Sequence, residues 1–219
     1  MSKFLLSALL LFISINTYTQ NWANSAGGNF NDEAFDVEVD ALGNVYTTGY
    51  TTASSVFGSS LNITTNGYSD IYVSKSDANG NFLWTKVFGG QQVDRGYDIE
   101  LDATGNIYVT GTFMESANFG TTTLTSNNNS QDVFVLKLDN NGNVLWVRAE
   151  GGPGGDTGYG IAVDNNGDVI ATGQFIETAQ IGLNTFTSTI DPNTNLPAYD
   201  LFIVKYDANG NDVWSLQGA

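Results

Sequence analysis

Residues 132–146 read Asp-Val-Phe-Val-Leu-Lys-Leu-Asp-Asn-Asn-Gly-Asn-Val-Leu-Trp. An apolar, β-branched run, an Asn-Gly turn and a second apolar run opening at a tryptophan spell a β-hairpin. Nearly the same text stands at Asp70–Trp84 and, with small changes, at Asp200–Trp214. The chain is therefore built of repeats, and the rest of the unit is found by working outward from this hairpin.

The four tryptophans, Trp22, Trp84, Trp146 and Trp214, stand 62, 62 and 68 residues apart and mark the phase. After each of the first three comes a glycine pair: Gly27-Gly28, Gly89-Gly90, Gly151-Gly152. An acid follows at Asp32, Asp94 and Asp156. Asp40, Asp102 and Asp164 then end a short apolar run, and Thr48-Gly49, Thr110-Gly111 and Thr172-Gly173 close the next. The repeat units are 22–83, 84–145 and 146–213, with a fourth beginning at 214–219.

Each unit predicts four strands, in the middle copy Tyr97–Asp102, Asn106–Thr112, Asp132–Leu138 and Val147–Glu150. Asp-x-x-Gly-Asn connectors join the first two and the last two, with glycine where a short hairpin needs positive φ. A longer loop, roughly 113–131, separates the pairs. The third unit lengthens it by six residues, at Pro192 and Pro197. Apolar residues on both faces imply sheets covered on both sides. Radial stacking of four-stranded sheets satisfies that, so the expected fold is an all-β propeller of antiparallel blades, about three of them as an open arc. A β-sandwich is the alternative, but it gives no reason for a whole-unit period.

The repeat resembles the SBBP family, named for a seven-bladed β-propeller, through Asp98–Gly111 and Asp132–Trp146. The resemblance covers essentially all of residues 22–219. It implies that Asp36–Asp40 and its equivalents lie innermost and the tryptophan strands outermost. It also implies a secreted or surface-exposed bacterial protein, often very long, in some cases with a type IX secretion sorting domain.

The first residues differ from the repeats. Lys3, an apolar stretch from Phe4 to Ile15 and a polar exit predict a signal peptide over residues 1–19, cut before Gln20. The expected location is extracellular or on the cell surface. There is no cysteine, hence no disulfide and no lipid-anchored cysteine. The formal charge of −16 becomes −17 when Lys3 leaves. A chain this acidic repels phosphate backbones and anionic membranes. Nucleic acid is thereby disfavoured and no membrane span is read. A protein or glycan partner remains, with further blades or domains expected downstream.

Neither histidine nor cysteine occurs, which removes Ser-His-Asp, Cys-His and imidazole-metal chemistry. The turns Asp77-Ala-Asn79-Gly80, Asp139-Asn-Asn141-Gly142 and Asp207-Ala-Asn209-Gly210 resemble the start of a calcium loop. Glycine stands at the fourth place, however, and no twelfth-position glutamate follows, so they read as hairpin turns. Asp36, Glu38, Asp98 and Glu100 form acid rows on the first strands that could share a cation; Gly160 and Ala162 break the row in the third unit. No cofactor is expected beyond calcium at that place. One lysine recurs in every third strand, Lys75, Lys137 and Lys205. Asp32, Asp94 and Asp156 recur with them, so a buried Lys–Asp latch is expected. Phe57, Phe119 and Phe186 read as a small core under the long loop.

The function read from these features is a non-catalytic extracellular module that binds protein or glycan in adhesion. The competing readings are a carboxylate-based polysaccharide hydrolase using Glu33, Glu115, Glu150 or Glu177, and a structural spacer.

Overall fold

Strands form here because the apolar runs are β-branched and aromatic and each stops at an aspartate-led turn. A computed structural model describes residues 22–58 and 61–218; the signal peptide expected over 1–19 lies outside the described residues. In it, Asp40, Asp77, Asp102, Asp139, Asp164 and Asp207 each accept, on the backbone carbonyl, the N–H of the glycine three residues on at 2.9–3.0 Å. Those glycines have φ between +76° and +84°, a region open to glycine at little cost.

The chain begins with β1 (Ala26–Gly28). Blade one follows as β2 (Glu33–Val39), β3 (Val45–Thr51), a small hairpin β4 (Ser54–Phe57) and β5 (Leu61–Thr64), then β6 (Asp70–Ser76) and β7 (Phe82–Gly90). Blade two repeats this as β8 (Arg95–Leu101), β9 (Ile107–Met114), β10 (Ser116–Phe119), β11 (Thr122–Thr125), β12 (Gln131–Leu138) and β13 (Val144–Glu150). Blade three is β14 (Thr157–Val163), β15 (Val169–Phe175), β16 (Thr178–Ile181), β17 (Asn184–Thr187), β18 (Asp200–Tyr206) and β19 (Asp212–Gly218). The four main strands of each blade form an antiparallel meander: β2-β3-β6-β7, β8-β9-β12-β13 and β14-β15-β18-β19. Because Trp84 pairs with Lys75, the tryptophan phase cuts each blade inside its outer strand, two residues after that strand begins at Phe82, Val144 and Asp212. Trp214 therefore closes blade three, in register with Lys205.

The blades lie side by side, with β8 against both β2 and β14. This is an all-β, propeller-like fold. Apolar contact between blades holds it. Tyr46, Ile71, Val73 and Phe88 of blade one share a buried cluster with Ile99, Val109, Phe134 and Leu136 of blade two. Tyr108, Val133 and Val135 of blade two share another with Ile161, Val169, Phe202 and Val204 of blade three. Each fully buried side chain of this kind contributes about 1.5–3 kcal/mol, so the blade junctions are principal sources of stability.

The segment expected as a loop between the second and third strands contains a hairpin in every blade. That hairpin reaches across the blade boundary: β10 pairs with β7 through Ala117↔Gly90 and Asn118↔Gly89. β4 pairs with β1, and Gly151 bridges to Gln180. The glycine pairs exist for this crossing. A Cβ on Gly90 would lie 1.8 Å from the Ser116 carbonyl oxygen, and one on Gly152 1.9 Å from that of Thr178. Under the hairpins Phe57 and Phe119 are buried, and Phe186 is partly buried against the second cluster.

Candidate functional site

The recurrent polar residues take three positions. Asp32, Asp94 and Asp156 sit where each small hairpin meets the preceding outer strand. Their carboxylates accept the N–H of Gly28, Gly90 and Gly152 at 2.6–2.7 Å. They also accept the N–H of Thr52, Met114 and Ile176 at 3.0–3.1 Å. Burial pushes Asp94 up to about 6 and Asp156 up to about 7, against the downward pull of these same amides.

The expected Lys–Asp latch does not form. Lys75 donates to Asn140 Oδ1 and lies 5.0 Å over the Tyr46 ring. Lys137 donates to the Ala208 carbonyl at 3.0 Å and lies 5.0 Å over the Tyr108 ring. Lys205 pairs instead with Asp168 at 2.8 Å and Asp164 at 3.4 Å in its own blade. The first two lysines thus reach the turn of the next blade, where the tryptophans also go. Trp22 Nε1 donates to Ala78 O at 3.0 Å and Trp146 Nε1 to Ala208 O at 3.3 Å. The correction has a physical cause: the acids are already occupied by backbone amides, and a peptide carbonyl leaves no mark in the side-chain sequence.

The turn acids keep their oxygens for their own turns. Asp77 Oδ1 accepts the N–H of Asn79 and Asn81, and Oδ2 accepts from the Asn81 amide. Asp139 with Asn141 and Asn143, and Asp207 with Asn209 and Asn211, do the same. Gly80 lies against Trp22, in the segment before β1, and Gly142 and Gly210 against Trp84 and Trp146 of the preceding outer strands.

The acid rows meet as pairs. Asp36 Oδ2 accepts the Ile99 N–H at 3.0 Å and Asp98 Oδ2 the Ile161 N–H at 2.7 Å, each linking one inner strand to the next. Asp36 and Asp98 also hydrogen-bond to one another. Burial first, and then this bond, push Asp98 up to about 7. Burial and then the charge of Glu100 push Glu38 up. Among the described residues no group of three or more acids is arranged to hold a metal ion. In the structure the acids of these rows meet as a carboxyl pair and as contacts to the amides of the next inner strand.

One further feature of the inner strands escaped the sequence reading. Gly96 pairs with Gly111 and Asp98 with Thr110, which leaves Tyr97 as an extra residue in a β-bulge. The same slip sets Phe35 apart in blade one and Tyr159 in blade three. A bulge re-aims the side chain it carries. The three rings form a row, 5.0 Å from Phe35 to Tyr97 and 5.8 Å from Tyr97 to Tyr159 between centroids. Phe35 is 39% and Tyr159 52% exposed. Tyr50 adds a ring 5.9 Å from Phe35, and the Arg95 guanidinium lies 4.8 Å over Tyr50. The signal was available: an aromatic recurs at 35, 97 and 159 with the 62-residue period.

The acids of the hydrolase reading occupy separate elements. Glu33 opens β2 on the surface. Glu150 is buried, accepting the Tyr206 hydroxyl and, at 2.6 Å, the Gly182 N–H. Glu115 and Glu177 take the same positive-φ turn, at +55° and +65°.

Fold and repeat define the class: a propeller-like, all-β repeat protein. No family model matches the chain. It is 29% identical over 187 residues to an uncharacterized WD repeat-containing protein of Acanthamoeba polyphaga mimivirus. That match covers 78% of this chain but only 13% of the relative's length.

Proposed function

We propose that the chain is a non-catalytic, propeller-type scaffold that binds a partner protein. The observation that carries this reading is repetition. The acids Asp32, Asp94 and Asp156 meet the same backbone groups in blade after blade, and Lys75 and Lys137 both reach the next turn. Residues placed identically in successive units maintain a framework, whereas a reactive centre needs one distinct constellation. The WD repeat description of the relative supports the same reading. Export through the leader at 1–19, an SBBP-type repeat and work outside the cell belong to this proposal, on the motifs given above. The test is to assay the purified chain for hydrolysis of a polysaccharide panel and, in parallel, for retention of partners in pull-down. Retention without turnover is expected; turnover abolished by replacing a single glutamate would overturn the reading.

A further inference from the structure

The bulged aromatics recur, with Phe35 and Tyr159 exposed and Tyr97 between them half-buried, and they have no role in the blade cores, so they call for a function of their own. Main-chain pairing resumes immediately after each bulge. The rings are therefore not needed to complete the sheets. Gly96 and Gly158, just before Tyr97 and Tyr159, let neighbouring blades close. A Cβ at either would lie 2.4 Å from Thr48 Oγ1 or Thr110 Oγ1. That approach brings rings from three blades into one continuous row.

We propose that this row is the docking site for an extended, arginine-bearing segment of the partner protein. The proposal rests on the scaffold reading above and names the partner's chemistry. Three observations select it. Ring spacings of 5.0 and 5.8 Å approach the repeat of about 6.7 Å between same-side residues of an extended chain, so alternate side chains meet successive rings. The surroundings favour a cation: the chain carries −16, and Glu33 is exposed two residues before Phe35. The rim also already holds one guanidinium on a ring face, Arg95 over Tyr50. Guanidinium groups are held on aromatic faces by the ring quadrupole, more strongly where water is excluded. A neutral glycan gains nothing from the acids, and the rings are tilted by 49° to 51° to each other rather than laid out as one flat platform.

The test measures binding of a fluorescein-labelled peptide of alternating arginine and serine by anisotropy. The wild-type chain is expected to bind it. The Tyr97→Ser, Tyr159→Ser double variant is expected to bind about tenfold more weakly, although its net charge is unchanged. Tyr97→Phe with Tyr159→Phe, and Tyr199→Ser away from the row, are expected to bind like wild type. Glu33→Gln, an exposed change that leaves the packing alone, is expected to weaken binding about threefold and provides the test if the double serine variant fails to fold. Undiminished binding by a folded double serine variant would reduce the effect to general charge attraction and overturn the site. Absence of binding, or tyrosine-dependent binding of neutral oligosaccharides instead, would also overturn it. A partner still retained by the double variant sinks the site and leaves the scaffold standing, whereas catalytic turnover sinks both.

Discussion

At Lys137 the choice between two kinds of latch comes down to magnitude. Removing one partner of a buried ion pair costs about 3–5 kcal/mol. A lysine held by a carbonyl and a ring face costs nearer 1–2 kcal/mol. Lys137→Met is therefore expected to lower unfolding free energy by about 1–2 kcal/mol in urea titration, and a loss at the ion-pair level would restore the latch. Asp94 is the opposite case. It is fully buried and satisfies the N–H groups of Gly90 and Met114. Asp94→Ala strands both and is expected to cost about 2–4 kcal/mol; a change below about 0.5 kcal/mol would contradict the clamp. Counting identified both recurrent residues. It missed how they connect, because amide and carbonyl partners have no residue type to count.

Among elements, the turn strands and the four-strand meander were legible because Asp-x-x-Gly-Asn and β-branched runs fix them locally. The hairpins β4–β5, β10–β11 and β16–β17 were not. Their runs are only four residues long, and they are stabilised from the preceding blade rather than from within. The glycine pairs announced an unusual backbone without saying what approaches it. Gly90→Ala, with its Cβ directed into the Ser116 carbonyl, is expected to cost about 3 kcal/mol. Amide exchange at Ala117 and Asn118 should accelerate with it; unchanged protection there would mean that the hairpin does not depend on the crossing. The inner bulges were illegible for a different reason. The recurrence of an aromatic at 35, 97 and 159 stood in the sequence, but an aromatic between two strand residues reads as core, and only the pairing register shows that it stands outside the alternation.

Over the whole molecule, repetition leaves two unlike faces. Val37 is 54% exposed where its counterparts Ile99 and Ile161 are 1% and 8%, and Leu201 is 51% exposed where Val133 is 0%. These end faces are expected to drive association in light scattering, and Val37→Lys with Leu201→Lys to suppress it. A monodisperse monomer before substitution would contradict that. Buried acids set the pH response. Burial raises Asp70 and Asp94 to about 6 and Asp98, Glu150 and Asp156 to about 7. Between about pH 4 and 7 the folded chain then holds more protons than the unfolded chain, so stability falls as pH rises through that window. Asp102 acts in the other direction. Against the upward push of burial, hydrogen bonds from Asn106 and Thr104 hold it at about 2, and its contribution is lost only in strong acid. Melting temperature should therefore be higher near pH 5 than near pH 8, and the reverse order would mean that these carboxyls are solvated in the folded chain.

The arrangement of the blades can be measured directly because the chain contains no cysteine. Glu38→Cys with Glu100→Cys places thiols on adjacent inner strands, and Leu83→Cys with Leu145→Cys places them at exposed, equivalent positions of the outer strands β7 and β13. Blades set side by side around a common centre give efficient closure of the inner pair by a short bifunctional thiol reagent and little closure of the outer pair. Equal closure of both pairs, or preferential closure of the outer one, would mean that the sheets are not arranged radially.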